Sequence, residues 1–197
     1  MIWDERYSSA SFHFGEQPNT FLQEQAYRLK ANSDILMVCE GEGRNGVFLA
    51  QQGHQITGID ASAVGLAKAE QFAAAKGVHI TTQVVDLLDY EFEPNRWDAV
   101  VAIFAHLDPD LRLRVHRQIV QSLKSGGLLI LEAYRPEQLN YATGGPPTLE
   151  RMMTARGLAQ EFAGLNIAYS QETIRPVVEG VGHTGDGAVV QFIAQKP

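Results

Sequence analysis

The sequence predicts an α/β fold: a mostly parallel sheet with helices on both faces. Three observations carry this. Strand-like and helix-like patterns alternate along most of the 197 residues. A glycine-rich turn, Gly41-Glu42-Gly43-Arg44-Asn45-Gly46, directly follows the first strand. The mostly apolar stretch over residues 97–104, broken only by Asp98, suits a strand buried on both faces.

The elements follow in order. Residues 34–40 form the first strand. A helix runs from Asn45 to Gln52, and Gly53 is placed to stop it. The second strand, 55–60, ends on Asp60. Ser62 suits the N-cap of the next helix, which carries Leu66, Ala69, Phe72 and Ala73 on one face and stops at Gly77. A third strand, 79–85, precedes Asp86. After 97–104, Asp108-Pro109 supplies a cap and a proline at the first helical position. Leu111, Val115, Ile119 and Leu123 recur every four residues up to Lys124-Ser125-Gly126-Gly127. Residues 128–133 form a fifth strand. A loop with Gly144-Gly145-Pro146-Pro147 leads to a helix near 149–156. Strands at 165–179 and 188–195 make an antiparallel hairpin joined by the turn 182–187.

The glycines satisfy G-x-G-x-x-G, a spacing that several nucleotide-binding folds share. The carboxylates discriminate: Glu40 closes the strand and Glu42 sits between the first two glycines. A pyrophosphate above the turn would face both. At ~5 Å and an effective dielectric of ~20, each repulsion is worth about 3 kcal/mol before screening. A cationic ligand without phosphate is favoured, and S-adenosylmethionine (SAM), a sulfonium with an ammonium group, answers that description.

In an open α/β sheet, ligands lie outside the carboxyl ends of the strands. Glu40, Asp60, Asp86 and His106 fall at such ends. Asp60 follows Gly41 at about the 20-residue offset of a ribose-binding carboxylate; Ala61 shares that strand end. Asp86 and the Leu87 backbone suit an adenine edge, with capping of the next segment as the alternative. Gly41 and Gly43 admit close approach, and Gly46 fits helix–strand packing. Glu40 either faces the sulfonium or orients the turn. Glu42 is expected to be partly solvated, and Asn45 to cap the helix.

Phe104 and His106 follow the fourth strand. His106 is the candidate general base, with packing in the loop as the alternative. His183 and Asp186 lie in the hairpin turn, near the ligand or as plain surface. Trp3, Tyr7, Phe12 and Phe14 either form a lid or pack against the sheet; Tyr7 and Phe14 are the candidate cofactor contacts. Cys39 reads as a small buried hydrophobe. No cysteine–histidine spacing suits zinc, so no metal is expected.

Bulk properties narrow the partners. The length and 45% apolar content support one domain over 1–197, with 1–30 as an N-terminal lid or helical segment. A net charge of −7 without a lysine–arginine run disfavours nucleic acid and anionic membranes. The longest apolar run, 99–105, is too short for a bilayer. With one cysteine and no signal-like N-terminus, the cytoplasm is the expected compartment. The expected assembly is a monomer or homodimer.

On these residues the chain resembles a class I SAM-dependent methyltransferase. Within that superfamily it resembles the small bacterial branch that includes tellurite-resistance and thiopurine-type methyltransferases. The resemblance rests on Trp3-Asp4-Glu5-Arg6-Tyr7, Glu40 through Ala50, Gly58-Ile59-Asp60, Trp97-Asp98-Ala99-Val100-Val101 and Leu123-Lys124-Ser125-Gly126-Gly127. It implies a Rossmann-like sheet of seven strands in order 3-2-1-4-5-7-6, the last antiparallel. It also implies SAM contacts from Glu40, Gly41, Gly43, Asp60 and Asp86, with Phe104 to His106 near the methionine half or the substrate. The lysine-proline-glycine-glycine turn of the wider superfamily is Lys124-Ser125-Gly126-Gly127 here.

The implied reaction is in-line methyl transfer to a small molecule, a thiol or chalcogen oxyanion among the candidates. Rival readings are an NAD-dependent oxidoreductase, a catalytically silent SAM-binding module and an interaction protein of the same fold. The first shares the glycine spacing and Asp60, yet meets Glu40 and Glu42 and lacks an evident Tyr-x-x-x-Lys.

Overall fold

The computed structural model describes residues 2–197. Its strands are β1 (Asp34–Val38), β2 (Gln55–Asp60), β3 (Thr81–Val84), β4 (Trp97–Ile103), β5 (Leu123–Tyr134), β6 (Asn166–Glu179) and β7 (His183–Gln195). They form one sheet in order β3-β2-β1-β4-β5-β7-β6. Strands β1 to β5 pair in parallel, whereas β7 is antiparallel to both β5 and β6. This is the sheet the resemblance implies.

Helices cover both faces because side chains alternate along each strand. Leu36, Val38, Val100 and Ala102 meet Val115 and Ile119 of α5 (Pro109–Ser122), Leu158 of α6 (Ala155–Glu161) and Phe162, the C-cap of that helix. Ile35, Met37, Ala99 and Val101 meet Phe21 and Leu22 of α2 (Thr20–Gln25), Val47 and Leu49 of α3 (Arg44–Gln51), and Ala69 and Phe72 of α4 (Ala63–Ala75). Strand β4 is therefore buried on both sides, which accounts for its apolar run. A short helix, α1 (Ile2–Tyr7), opens the described chain. No helix among the described residues is long and apolar enough to cross a membrane.

Local expectations are met and missed for identifiable reasons. Ser62 caps α4 as expected, its Oγ accepting the Gly65 N–H at 3.0 Å. Asp108 occupies the N-cap position of α5 with Pro109 following, as expected, but its carboxylate takes the Arg151 guanidinium, at 2.7 and 3.0 Å, in place of a backbone N–H. The helix expected near 149–156 is split into a 3₁₀ turn, Leu149–Arg151, and α6. Met152 and Met153 are buried, and the Met153 N–H bonds to the Tyr134 carbonyl, so the chain between the two is extended. Strand β7 starts at His183, five residues earlier than expected. Residues 183–187, polar and glycine-rich, continue the ladder against Glu179 to Arg175. The third strand, Thr81–Val84, is shorter than the expected 79–85.

Candidate functional site

The turn after β1 is built around glycine. Gly41 and Gly43 have φ of 60° and 89°, a region L-residues avoid. Gly43 is the N-cap of α3, and a Cβ there would lie 2.6 Å from the Ala69 Cβ. Glu40 points beneath the turn, not over it. Its Oε1 accepts the Gly46 N–H at 2.8 Å, and its stem passes Gly58, where a Cβ would stand 2.9 Å from Cγ. A Cβ at Gly46 would overlap the same carboxylate. Of the two roles open to Glu40, the structure shows that of orienting the turn. Burial pushes its carboxyl up to about 8, with Asp60 adding to the effect and the Gly46 bond and Arg44 opposing it. Glu40 is therefore mostly neutral at pH 7.

Glu42 is also buried, at 5% exposure, contrary to the expected solvation. It accepts the His13 N–H at 2.7 Å and forms an ion pair with Lys68 of α4. The turn therefore lacks two bare negative charges. The stronger case against a dinucleotide is topological: β7 is inserted antiparallel between β5 and β6, whereas the dinucleotide fold runs 3-2-1-4-5-6.

Asp60 ends β2 beside this turn. Its Oδ2 accepts the Gly41 N–H at 2.9 Å and its Oδ1 the Ser62 N–H, past Ala61, at 2.8 Å. Burial raises its pKa, and these backbone bonds oppose the rise. A carboxylate offers about four lone-pair sites, so each oxygen keeps capacity for a ribose hydroxyl. The glycine cradle and these carboxylate acceptors fit SAM. Asp86 caps its own segment, its Oδ1 accepting the Leu88 N–H at 2.9 Å. The Val85 N–H bonds to the Asp60 carbonyl, which holds the two strand ends together, and the Leu87 side chain is buried.

The N-terminal segment crosses this carboxyl edge. The Tyr7 ring lies against Gly41 and Gly65; a Cβ on either would come within 2.8 Å of it. Trp3 stacks on Tyr7 at 5.7 Å and neighbours Phe14 at 6.3 Å. Phe12 turns away and packs on Phe72 of α4 at 5.0 Å. Phe12 thus packs on a helix, while Trp3, Tyr7 and Phe14 lie over the carboxyl edge. Asn45 does not cap α3; its Oδ1 accepts the Asn19 N–H at 2.9 Å and fastens the segment. Asn19 caps α2 and donates to Glu132 at 2.6 Å and Glu179 at 3.1 Å. Arg175 pairs with both of those carboxylates, and Arg44 reaches Glu179 at 2.6 Å.

Across the edge, Phe104 adopts a φ of 55° and stacks on Tyr134 at 4.7 Å. His106 has both ring nitrogens engaged: Nδ1 with the Arg151 carbonyl at 3.0 Å, Nε2 with the Tyr134 N–H at 3.2 Å. Burial pushes it down to about 4, partly offset by the Arg151 bond. A neutral imidazole bonded at both ends offers no lone pair to a substrate, so the loop-packing alternative describes His106. His183, by contrast, is buried against Phe14 and Phe104. Its Nδ1 faces Glu179 Oε2 at 3.6 Å, within ion-pair reach. The Tyr134 hydroxyl is buried without a hydrogen-bond partner among the described residues, which costs about 1–3 kcal/mol. Sequence reasoning missed Asn19, Lys68, Glu132, Tyr134 and Arg175. Glu132 carried a signal: a carboxylate inside the apolar run of β5 demands a cationic partner.

Known proteins agree with this geometry. A family model described as a methyltransferase domain matches residues 35–127, just under half the chain. A 2-heptyl-1-hydroxyquinolin-4(1H)-one methyltransferase of Mycobacteroides abscessus is 26% identical over 105 residues. That match spans 52% of this chain and 46% of the relative's length. Among solved structures, a SAM-dependent methyltransferase from Methanosarcina mazei is 20% identical with a TM-score of 0.70, over 91% of this chain and 98% of its own. TehB from Haemophilus influenzae is 14% identical with a TM-score of 0.72, over 99% and 66%. The [4+2]-cyclase SpnF is 20% identical with a TM-score of 0.72, over 100% and 91%. At these identities the structures speak for the fold alone. The chain has the fold of the class I SAM-dependent methyltransferases.

Proposed function

We propose that the protein transfers a methyl group from SAM to a small-molecule acceptor. One observation carries the reading: a glycine cradle at the end of β1 stands beside Asp60, whose carboxylate keeps lone pairs for two hydroxyls. SAM supplies an activated methyl on a sulfonium. The chain's residues bind and align. Asp60 holds the ribose, Asp86 and the Leu87 backbone meet the adenine, and Gly41 and Gly43 admit the methionine half. Glu40 keeps the turn in shape from below. Tyr7, Phe14 and Phe104 exclude water. Alignment of this kind is worth about 7–11 kcal/mol.

The net charge of −7 and the lid across the edge favour a small acceptor over nucleic acid. The activity in the Mycobacteroides relative's name, on a hydroxyquinolinone, points the same way. A thiol or chalcogen oxyanion, implied by the sequence's resemblance to the tellurite-resistance and thiopurine-type branch, stays among the candidates; such acceptors ionise readily and need no base. The likeness to SpnF supports a second reading, a SAM-fold protein that performs no methyl transfer. Calorimetric titration with SAM and NAD, then mass spectrometry for S-adenosylhomocysteine across an acceptor panel, separates these. SAM binding with product supports methyl transfer. Binding without product supports the second reading, and NAD binding in place of SAM removes both.

A further inference from the structure

We propose that Arg114 of α5 is a positioning residue for adenine: through the peptide between Leu87 and Leu88 it fixes the Asp86 carboxylate that reads the purine's amino group. This rests on the methyl-transfer reading and adds a residue to its cofactor site. Helix α5 packs on the sheet face opposite to α3 and α4, yet Arg114 reaches from it to the segment after β3. Its Nη1 donates to the Leu87 carbonyl at 3.0 Å and to the Leu88 carbonyl, and its Nη2 to the Tyr90 carbonyl at 3.2 Å. The same Nη2 meets Glu91 Oε1 at 3.0 Å, and Gln118, one helical turn on, donates to Glu91 Oε2 at 2.8 Å. A single guanidinium thus gathers the carbonyls of Leu87, Leu88 and Tyr90. A planar fork of fixed donors suits that task, whereas an ammonium offers one point of charge.

The gripped segment carries the proposed adenine contacts. Asp86 is exposed, and its Oδ1 accepts the Leu88 N–H at 2.9 Å. That N–H belongs to the same peptide group whose carbonyl, that of Leu87, accepts from Arg114. A peptide bonded to a cation at its oxygen is polarised, and its N–H becomes a better donor. The link therefore runs from guanidinium to peptide to Asp86 Oδ1, and Oδ2 keeps its lone pairs for a ligand. The amino group of adenine donates where the 6-oxo group of hypoxanthine accepts, so a fixed carboxylate there separates the two purines. The rest of the segment is anchored by other means. Leu87 and Phe92 are buried in the core that α5 shares, and the Asn95 and Arg96 N–H groups bond to the Gln121 and Ser122 carbonyls. The Arg114 side chain is itself 34% exposed. Its loss frees the peptide between Leu87 and Leu88 without opening the core or releasing the segment.

The test is calorimetric binding of the full chain, without turnover, to S-adenosylhomocysteine and to S-inosylhomocysteine, which carries hypoxanthine in place of adenine. The wild type should prefer the adenosyl ligand about tenfold or more, the value of one hydrogen bond to a charged group. In Arg114→Ala that preference should fall below about threefold, through loss of adenosyl affinity alone. Arg114→Lys should lose it likewise, because lysine keeps the charge and lacks the fork. A merely structural role would weaken both ligands alike. In an Asp86→Asn background, where the carboxylate is already gone, Arg114→Ala should shift the preference no further, as expected of two residues acting along one link. No binding of either ligand by the wild type overturns both the proposal and the methyl-transfer reading. Binding without the adenosyl preference overturns the proposal alone. So does a preference that stays above about threefold in either Arg114 variant, an equal loss for both ligands, or a further shift in the double variant. Should Arg114→Ala fail to fold, Arg114→Lys decides by the same comparison.

Discussion

Two single residues at the glycine turn carry opposite lessons. Asp60 joins Gly41 and Ser62 through both oxygens. Asp60→Ala should weaken SAM binding by about 1–3 kcal/mol, the cost of leaving buried hydroxyls and N–H groups unpaired. Calorimetry with the variant checks this, and unchanged affinity would remove Asp60 from the ribose. Gly46→Ala tests the space beneath the turn. Alanine is favoured over glycine in a helix by about 1 kcal/mol, yet its Cβ would overlap the Glu40 carboxylate. Overpacking typically costs about 1–3 kcal/mol, so the clash should win and the urea midpoint should drop. A more stable variant would show that Glu40 yields freely. Asp60 and the glycines were legible in the sequence because strand, turn and offset lie within one short segment. Glu42 and His106 were not, because their environments come from Lys68, Arg151 and Tyr134, which only the fold brings near.

At the level of elements, the N-terminal segment is clasped rather than draped. Asn19 ties α2 to β5 and β6 through Glu132 and Glu179, and Asn45 of α3 holds the Asn19 backbone. Tyr7 lies against Gly41 and Gly65 beside the turn. Asn19→Ala removes the α2 cap, worth about 0.5–2 kcal/mol, together with the ties to both carboxylates. Hydrogen exchange should quicken across residues 2–25 while β1 and β4 keep their protection; uniform exchange would show that the segment opens only with the whole domain. Arg175→Ala leaves Glu132 and Glu179 short of a buried cation, and breaking such a pair typically costs about 3–5 kcal/mol. The same strands show where sequence patterns fail. Residues 183–187 look like a turn because glycine, threonine and aspartate favour turns locally. They are a strand because the ladder with β6 satisfies their backbone and overrides that preference. The parallel core was legible for the opposite reason: burial on both faces writes a long apolar run into β4 itself.

For the whole molecule, buried titratable groups bound the pH range of stability. Glu40 stands at about 8 against an ordinary 4.5, so the folded state keeps a proton that the unfolded chain releases. Its contribution is complete below 4.5 and is lost as pH rises toward 8, at up to about 1.4 kcal/mol per pH unit. Glu179 stands at about 2: burial would raise it, but His183, Arg44 and Arg175 pull it down. Its contribution is present above 4.5 and lost as pH falls toward 2. His106, at about 4 against an ordinary 6.5, loses its share as pH falls through that interval. Between 4.5 and 6.5 the Glu40 and His106 slopes oppose each other. Below 4.5 Glu179 and His106 act together, and above 6.5 Glu40 acts without that opposition. His54, His116 and His183, also held down by burial, add to the His106 side, so the urea midpoint should peak toward the upper end of that window and decline on both sides. Glu40→Gln keeps an acceptor for the Gly46 N–H and carries no proton to lose. Relative to wild type its stability should climb steadily from pH 4.5 to 8, and its alkaline decline should be shallower. If both proteins decline in parallel above pH 6.5, Glu40 is ionised in the folded state, and the neutral floor assigned to the glycine turn is wrong.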